Sequence, residues 1–346
     1  MMSVHSREGR PAREFYIQWH IVERCNLRCI HCYQNNFSSP DIPDKKILEI
    51  ANIIDKTLST WRRKGRVSLT GGEPFLRADL LIKLLDFFES SSNVYWVAIL
   101  TNGTLISEED ARQLKKYKKL REMQVSLDGG AAESNDAVRG KGTFNRIVET
   151  IMMLKRYRFP TSIMFTLQKR NEDQVPRIIE LARRLGVDAL KIERVTPISK
   201  GALDDVWIEP GELKEIYKYI SEEKKRLKDS LQIRTSRPLW VLIDENLGGF
   251  CPAGFGTLTI LHDGTVLPCR RLPIPIGNIF AEGLYEIWYT SEVLWQLRDK
   301  KQLKGKCRNC EYLHKCGGCR AIAYAVTGDF MAEDPQCTRH TKEELV

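Results

Sequence analysis

The sequence has no cysteine between Cys32 and Cys251, although it holds ten in all, three at 25–32 and seven at 251–337. That gap excludes an even disulfide framework and predicts metal-binding thiols on two separate parts of an intracellular chain. No apolar run is long enough to cross a bilayer, so no membrane partner is expected. Residues 1–14 are polar and charged with no apolar centre, which excludes a secretory signal and predicts a cytoplasmic protein. Internal repeats and low-complexity tracts are missing too. The net charge of +9 is spread over predicted helices such as 111–119 and 221–228, so nucleic acid is not an expected partner. An acidic substrate or acidic peptide agrees equally well with that charge. With 346 residues, 42% of them hydrophobic and 29% charged, the chain reads as globular, with two or three domains.

What is present begins with alternation. Strands are predicted at Phe15–Val22, Arg66–Thr70, Val94–Leu100, Glu122–Leu127, Ser162–Leu167 and Ala189–Val195. They are short and apolar, as strands buried on both faces are. Helices are predicted at Asp44–Lys64, Asp79–Ser90, Ser107–Lys118, Thr143–Arg158 and Asp173–Leu185. Six β–α repeats imply a parallel sheet with right-handed crossovers, an α/β partial (β/α)6 barrel of TIM type. Ligands then belong at the C-terminal strand ends. A charged helix, Glu209–Asp229, bridges to a different texture: a hairpin of Thr257–Leu261 and Val266–Cys269, a helix at Gly283–Lys300, and a loop-rich cysteine tail. The expected domains are 1–14, an N-terminal segment; 15–208, the barrel; 209–237, the bridge; and 238–346, a small cysteine-rich domain that metal must help to stabilise.

The loop after the first strand reads Cys25-Asn26-Leu27-Arg28-Cys29-Ile30-His31-Cys32. Three soft ligands on one loop select zinc, copper(I) or iron–sulfur. A zinc loop with His31 as fourth ligand is one reading; a four-iron cluster with one iron open to a small molecule is the other. Gly71-Gly72-Glu73-Pro74 follows the second strand, where paired glycines allow close backbone approach and Glu73 can accept from an ammonium group. The same four residues also suit an ordinary turn. Thr101-Asn102-Gly103 follows the third strand. Ser126-Leu127-Asp128-Gly129 puts Ser126 and Asp128 on one face at the end of the fourth.

In this order, from Phe15 to about Pro197, these motifs resemble the radical S-adenosylmethionine (SAM) enzymes. The resemblance implies a [4Fe–4S] cluster on Cys25, Cys29 and Cys32, SAM on its open iron, and reductive cleavage to a 5′-deoxyadenosyl radical that abstracts hydrogen. It further implies that Gly71, Gly72 and Glu73 hold the methionine amino group and that Ser126 and Asp128 hold the ribose. His31 stands where an aromatic residue is usual and is read as a packing group. Arg139 either pairs with the SAM carboxylate or is a solvated loop arginine.

The second group runs Cys251, Cys269, Cys307, Cys310, Cys316, Cys319 and Cys337. Zinc ribbons are one reading. The segment resembles the SPASM extension, which carries auxiliary [4Fe–4S] clusters. Carried across, Cys307, Cys310, Cys316 and Cys337 would ligate one cluster. Cys251, Cys269 and Cys319 would hold the other, with an open iron or a non-cysteine ligand. Cys316 and Cys319 are separated by two residues where many members have three. Three clusters use every cysteine. The expected function is a peptide or protein maturase that oxidises, crosslinks or epimerises a precursor peptide, supplied with electrons by a reductase such as flavodoxin or ferredoxin, with leader recognition by a separate protein or the barrel surface. A small-molecule enzyme acting on tetrapyrrole carboxylates in haem-type biosynthesis is the alternative, and Arg270-Arg271 suits its polyanion. A zinc-bearing nucleic-acid binder is the reading from another class. Glu193, Asp244, Glu245 and His262 are acid–base candidates that no motif positions.

Overall fold

The computed structural model describes residues 14–339 except 35, 36, 38, 199–202 and 236, so the predicted N-terminal segment lies outside the described residues but for Glu14. In chain order the elements are β1 (Glu14–Val22), α1 (Asp44–Thr60), β2 (Lys64–Gly71), α2 (Ala78–Ser90), β3 (Val94–Thr101), α3 (Glu108–Leu114), β4 (Leu120–Ser126), α4 (Ala132–Arg139), α5 (Thr143–Arg156), β5 (Thr161–Leu167), α6 (Val175–Arg184) and β6 (Ala189–Arg194). After them come α7 (Leu203–Val206), α8 (Pro210–Arg226), β7 (Gln232–Arg234), β8 (Thr257–Ile260), β9 (Thr265–Leu267), β10 (Gly277–Asn278), α9 (Leu284–Thr290), α10 (Glu292–Arg298) and α11 (Arg320–Thr327). The sheet order is β10-β9-β8-β1-β2-β3-β4-β5-β6-β7, with β1 to β7 parallel. The six predicted strands are all present, and the partial barrel carries β7 on one edge. On the other edge β8 lies parallel to β1, Tyr16 opposite Thr257 and Trp19 opposite Ile260, so the C-terminal hairpin continues the barrel sheet.

Several helices differ from expectation. The one predicted at Gly283–Lys300 is two, because Ser291 takes an extended conformation and caps α10 by accepting from Leu294 N–H. Helix α4 was not anticipated, since its buried residues include Asn135 and Arg139 rather than an apolar stripe. Helix α1 ends at Thr60, ahead of Arg62 with φ +52 and the strand that starts at Lys64.

The strands are not apolar on both faces. Phe15, Ile17, Trp19 and Ile21 are buried in the apolar core, where the Trp19 ring meets Phe88 of α2. The alternate residues meet polar partners. Tyr16 Oη donates to Ser68 Oγ (2.9 Å), Ser162 Oγ to Glu122 (2.6 Å) and Lys191 Nζ to Gln124 (2.7 Å). Arg234 on β7 lies 3.8 Å from Glu122 on β4, with two strands between them in the sheet. That contact requires the sheet to curl round a polar concave face. Burial lowers Lys191 to about 8, against the opposing pull of Glu122.

Candidate active site

The C-terminal strand ends form one hydrogen-bonded rim. Gly72 N–H donates to Val22 O and Glu73 N–H to Arg24 O, both at 2.9 Å, which lays the loop after β2 on the cysteine loop. A Cβ on Gly71 would sit 2.1 Å from Val22 O, and one on Gly72 2.1 Å from Arg24 O, so only glycine permits this approach. Glu73 is fully buried. It accepts from Phe75 N–H (3.1 Å), Thr101 Oγ1 (2.8 Å) and Asn102 N–H (2.7 Å). Burial raises its carboxyl to about 7, against the lowering effect of those donors. Asn102 Nδ2 in turn reaches Cys25 Sγ at 3.8 Å and Asn26 Oδ1 at 2.9 Å.

The other side of the cysteine loop meets β4 and α4. Asp128 is fully buried and pairs with Arg139 Nη2 at 2.7 Å. Its Oδ1 accepts from Thr166 N–H (2.7 Å), and His31 Nε2 stands 3.5 Å from Oδ2. Arg139 is 6% exposed and its Nη1 lies 3.9 Å from Cys29 Sγ, so it is a buried bridge between carboxylate and thiol, not a solvated loop residue. Ser126 ends β4, half-buried, opposite Met164 in register. Burial lowers His31, against the attraction of Asp128, and its ring packs neutral under the loop.

Backbone and side-chain N–H groups point at the three thiols: Leu27 at Cys25 (3.4 Å), Gln34 at Cys32 (3.4 Å) and Arg139 at Cys29. Such donors stabilise thiolate ligands of a cluster. Unligated, the thiols are raised by burial, Cys29 to about 11. The donor set therefore suits a cluster that deprotonates them. Among the described residues no three His, Cys, Asp or Glu side chains converge on a single ion, and none of the ten cysteines is paired.

Cys307, Cys310, Cys316 and Cys337 line one small pocket, together with Leu239 and Asp334. Leu239 N–H and Gly318 N–H lie 3.3 and 3.4 Å from Cys316 Sγ. Gly317 and Gly318, with φ of +69 and +63, make the short link to Cys319 that side chains would strain. Cys251 is raised to about 11, chiefly by burial and then by the neighbouring Cys319 and Cys269.

The sequence singles out Glu193 and Arg270-Arg271, but not how these charges pair. Glu193 lies near the end of β6 and is held by Arg237 (2.6 Å) and Arg271 (3.1 Å). Burial raises its carboxyl, but the two guanidinium groups outweigh that and hold it at about 2. Arg270 is 8% exposed, stacks 4.1 Å over the Tyr33 ring, and keeps a buried Nε with no hydrogen-bond partner. His20, fully buried with both ring nitrogens unpartnered, is held neutral by burial and then by Arg270 and His262. The other acid–base candidates lie apart: His262 meets Glu23, while Asp244 and Glu245 face Lys225 and Lys315.

A three-thiol loop on the C-terminal rim of a curled parallel sheet, followed by a second set of seven thiols of which Cys307, Cys316 and Cys319 are buried, defines an iron–sulfur enzyme built on a partial barrel. The chain belongs to the radical SAM superfamily and carries an iron–sulfur cluster-binding (SPASM) domain: the family models match residues 19–182 and 251–311. It is 32% identical to the AdoMet-dependent heme synthase of Methanosarcina barkeri (strain Fusaro / DSM 804), over 93% of this chain and 95% of that one. It is 30% identical to the mycofactocin maturase MftC of Mycolicibacterium smegmatis, over 93% of this chain and 82% of the other. Its fold matches Streptococcus suis SuiB bound to precursor peptide SuiA (TM-score 0.76, 18% identity, 94% of this chain and 76% of that one). It matches anSMEcpe with bound AdoMet as well (TM-score 0.75, 19% identity, 94% and 90%).

Proposed function

We propose that this radical SAM enzyme abstracts hydrogen from a substrate bearing carboxylates, a tetrapyrrole carboxylate of haem-type biosynthesis. The observation that carries the reading is the charge beside the site. Arg237 and Arg271 share one carboxylate, Glu193, and Arg270 is buried without an acidic partner among the described residues. Leaving a charge buried and unpaired costs about 3–5 kcal/mol, a cost that an arriving carboxylate relieves. Similarity to proteins named AdoMet-dependent heme synthase supports the same substrate class. A peptide-modifying reading is supported by the likeness to the mycofactocin maturase, and the arginines would then face acidic side chains or a C-terminal carboxylate.

When bound, a cluster and SAM supply a 5′-deoxyadenosyl radical. The residues of this chain bind and orient: Cys25, Cys29 and Cys32 hold the cluster, Gly71 and Gly72 admit the methionine end, and Glu73 accepts from its ammonium. Ser126 serves the ribose, and Asp128, occupied by Arg139 and Thr166, sets Arg139 toward the SAM carboxylate. Cys307, Cys310, Cys316 and Cys337 hold a second cluster, and Cys251, Cys269 and Cys319 a third with one iron not ligated by cysteine. The barrel occupies 15–208, the bridge 209–237 and the SPASM domain 238–346; the protein works in the cytoplasm with a flavodoxin or ferredoxin.

The test is binding of a tetrapyrrole with propionate side chains, followed by absorbance, against its neutral ester and an acidic peptide of similar charge. The reading predicts that only the tetrapyrrole acid binds and that Arg270→Gln weakens it. Binding of the peptide alone favours the maturase. A neighbouring gene for a short peptide would point the same way, and neighbouring tetrapyrrole genes the other.

A further inference from the structure

The auxiliary cysteines share a neighbour. Asp334 is 1% exposed and stands in the turn before Cys337. Its Oδ2 accepts from Cys319 N–H (2.8 Å) and its Oδ1 from Gln336 N–H (3.1 Å). Its carbonyl accepts from Cys337 N–H (2.9 Å). Arg194, at the end of β6 and 6% exposed, grips the carboxylate from the barrel side, Nη1 to Oδ1 at 3.0 Å and Nη2 to Oδ2 at 2.8 Å. The same guanidinium donates to Gln336 Oε1 (2.8 Å), whose amide donates to Ile208 O (2.8 Å). Gly318 is required by this packing: a Cβ there would sit 2.8 Å from Asp334 Cβ.

A buried ion pair is by itself weak evidence of stabilisation, because apolar residues of similar volume often serve as well. What distinguishes this pair is where its hydrogen bonds go. One residue accepts from Cys319 of the three-thiol group and from Cys337 of the four-thiol group, and one arginine ties it to the barrel wall.

We propose that Asp334, held by Arg194, is a positioning residue on which both auxiliary iron–sulfur sites are jointly built, so that neither keeps its iron once the Asp334 side chain is truncated. The inference rests on the ligand assignment of the proposed function. Groups that orient metal ligands typically change metal affinity about 10–100-fold when removed.

The test uses the full chain reconstituted anaerobically. Wild type should hold about twelve irons, Cys310→Ala about eight, and Asp334→Ala about four, those of the first loop, whose EPR signal still responds to SAM. Wild type at about four overturns the ligand assignment and the inference with it. Wild type at about twelve with Asp334→Ala at about eight or twelve overturns joint positioning while leaving the assignment standing. If Asp334→Ala does not fold, Asp334→Asn decides. It should keep its iron but lose it to chelator about 10–100-fold more readily, and shift the EPR signals of both auxiliary sites toward higher potential. Signals that do not move, or that move at one site alone, overturn the proposal. Arg194→Lys should retain more auxiliary iron than Arg194→Met; equal loss contradicts a charge-bearing role.

Discussion

Glu73→Gln is the substitution that separates a SAM-binding carboxylate from a merely structural one. Glu73 has no exposed surface, and burial outweighs its three hydrogen-bond donors to set its carboxyl at about 7 rather than 4.5. A raised acid favours its protonated form in the fold. Its contribution to stability is therefore full below 4.5, declines as pH rises to about 7, and is flat above. At about 1.4 kcal/mol per pH unit, ionisation costs about 3 kcal/mol across that window. An ammonium ligand offsets this cost, so SAM should bind the wild type more tightly as pH rises through about 7. The glutamine variant cannot ionise at this position and turns an amide N–H₂ toward one of the three donors. Loss of a charge-assisted hydrogen bond of about 1.5–3 kcal/mol weakens binding roughly 10–150-fold and flattens its pH dependence. Anaerobic equilibrium dialysis with radiolabelled SAM, alongside an iron count to establish that the loop is loaded, reads both effects. Wild-type affinity and pH slope in the loaded Glu73→Gln protein would refute the reasoning.

The first loop gives two further predictions and the rim a third. Replacing Cys25, Cys29 or Cys32 by Ala should abolish reductive SAM cleavage, measured as 5′-deoxyadenosine; surviving activity contradicts the site. Arg139→Met leaves Asp128 buried without its cation and should destabilise by about 3–5 kcal/mol in urea unfolding, partly recovered by adding Asp128→Asn. No recovery would mean the pair is not coupled. Gly72→Ala brings a methyl within 2.1 Å of Arg24 O and should displace the cysteine loop, read as loss of first-loop iron with the auxiliary signals intact.

The thiol groups, the strand order and the rim motifs were legible in the sequence because each is local: a short spacing, an apolar run, a glycine pair. The polar concave face was also written locally, in Tyr16, Gln18 and His20 and again in Glu122, Gln124 and Ser126. Reading those strands by apolar content alone hid the alternation. Helix α4 was missed because it buries Asn135 against Asp128 N–H and Arg139 against the Asp128 carboxylate, neither of which leaves an apolar stripe. Arg194 and Asp334 meet across 140 residues, and Arg270 lies over Tyr33 only once β8 has docked beside β1. Long-range charge pairing of that kind has no local signature: Arg270-Arg271 already suited a polyanion in the sequence, but that Arg271 is paired with Glu193 and Arg270 is not came from the fold.

The central claim, that the first cysteine loop generates a radical used on a carboxylate-bearing substrate, is tested most directly by isotope transfer. The loaded enzyme is given SAM, reductant and a tetrapyrrole deuterated along its propionate chains. The account predicts deuterium in 5′-deoxyadenosine, formed faster in the presence of the tetrapyrrole and lost with Arg270→Gln. Unlabelled 5′-deoxyadenosine, produced at the same rate with and without that substrate, would contradict it.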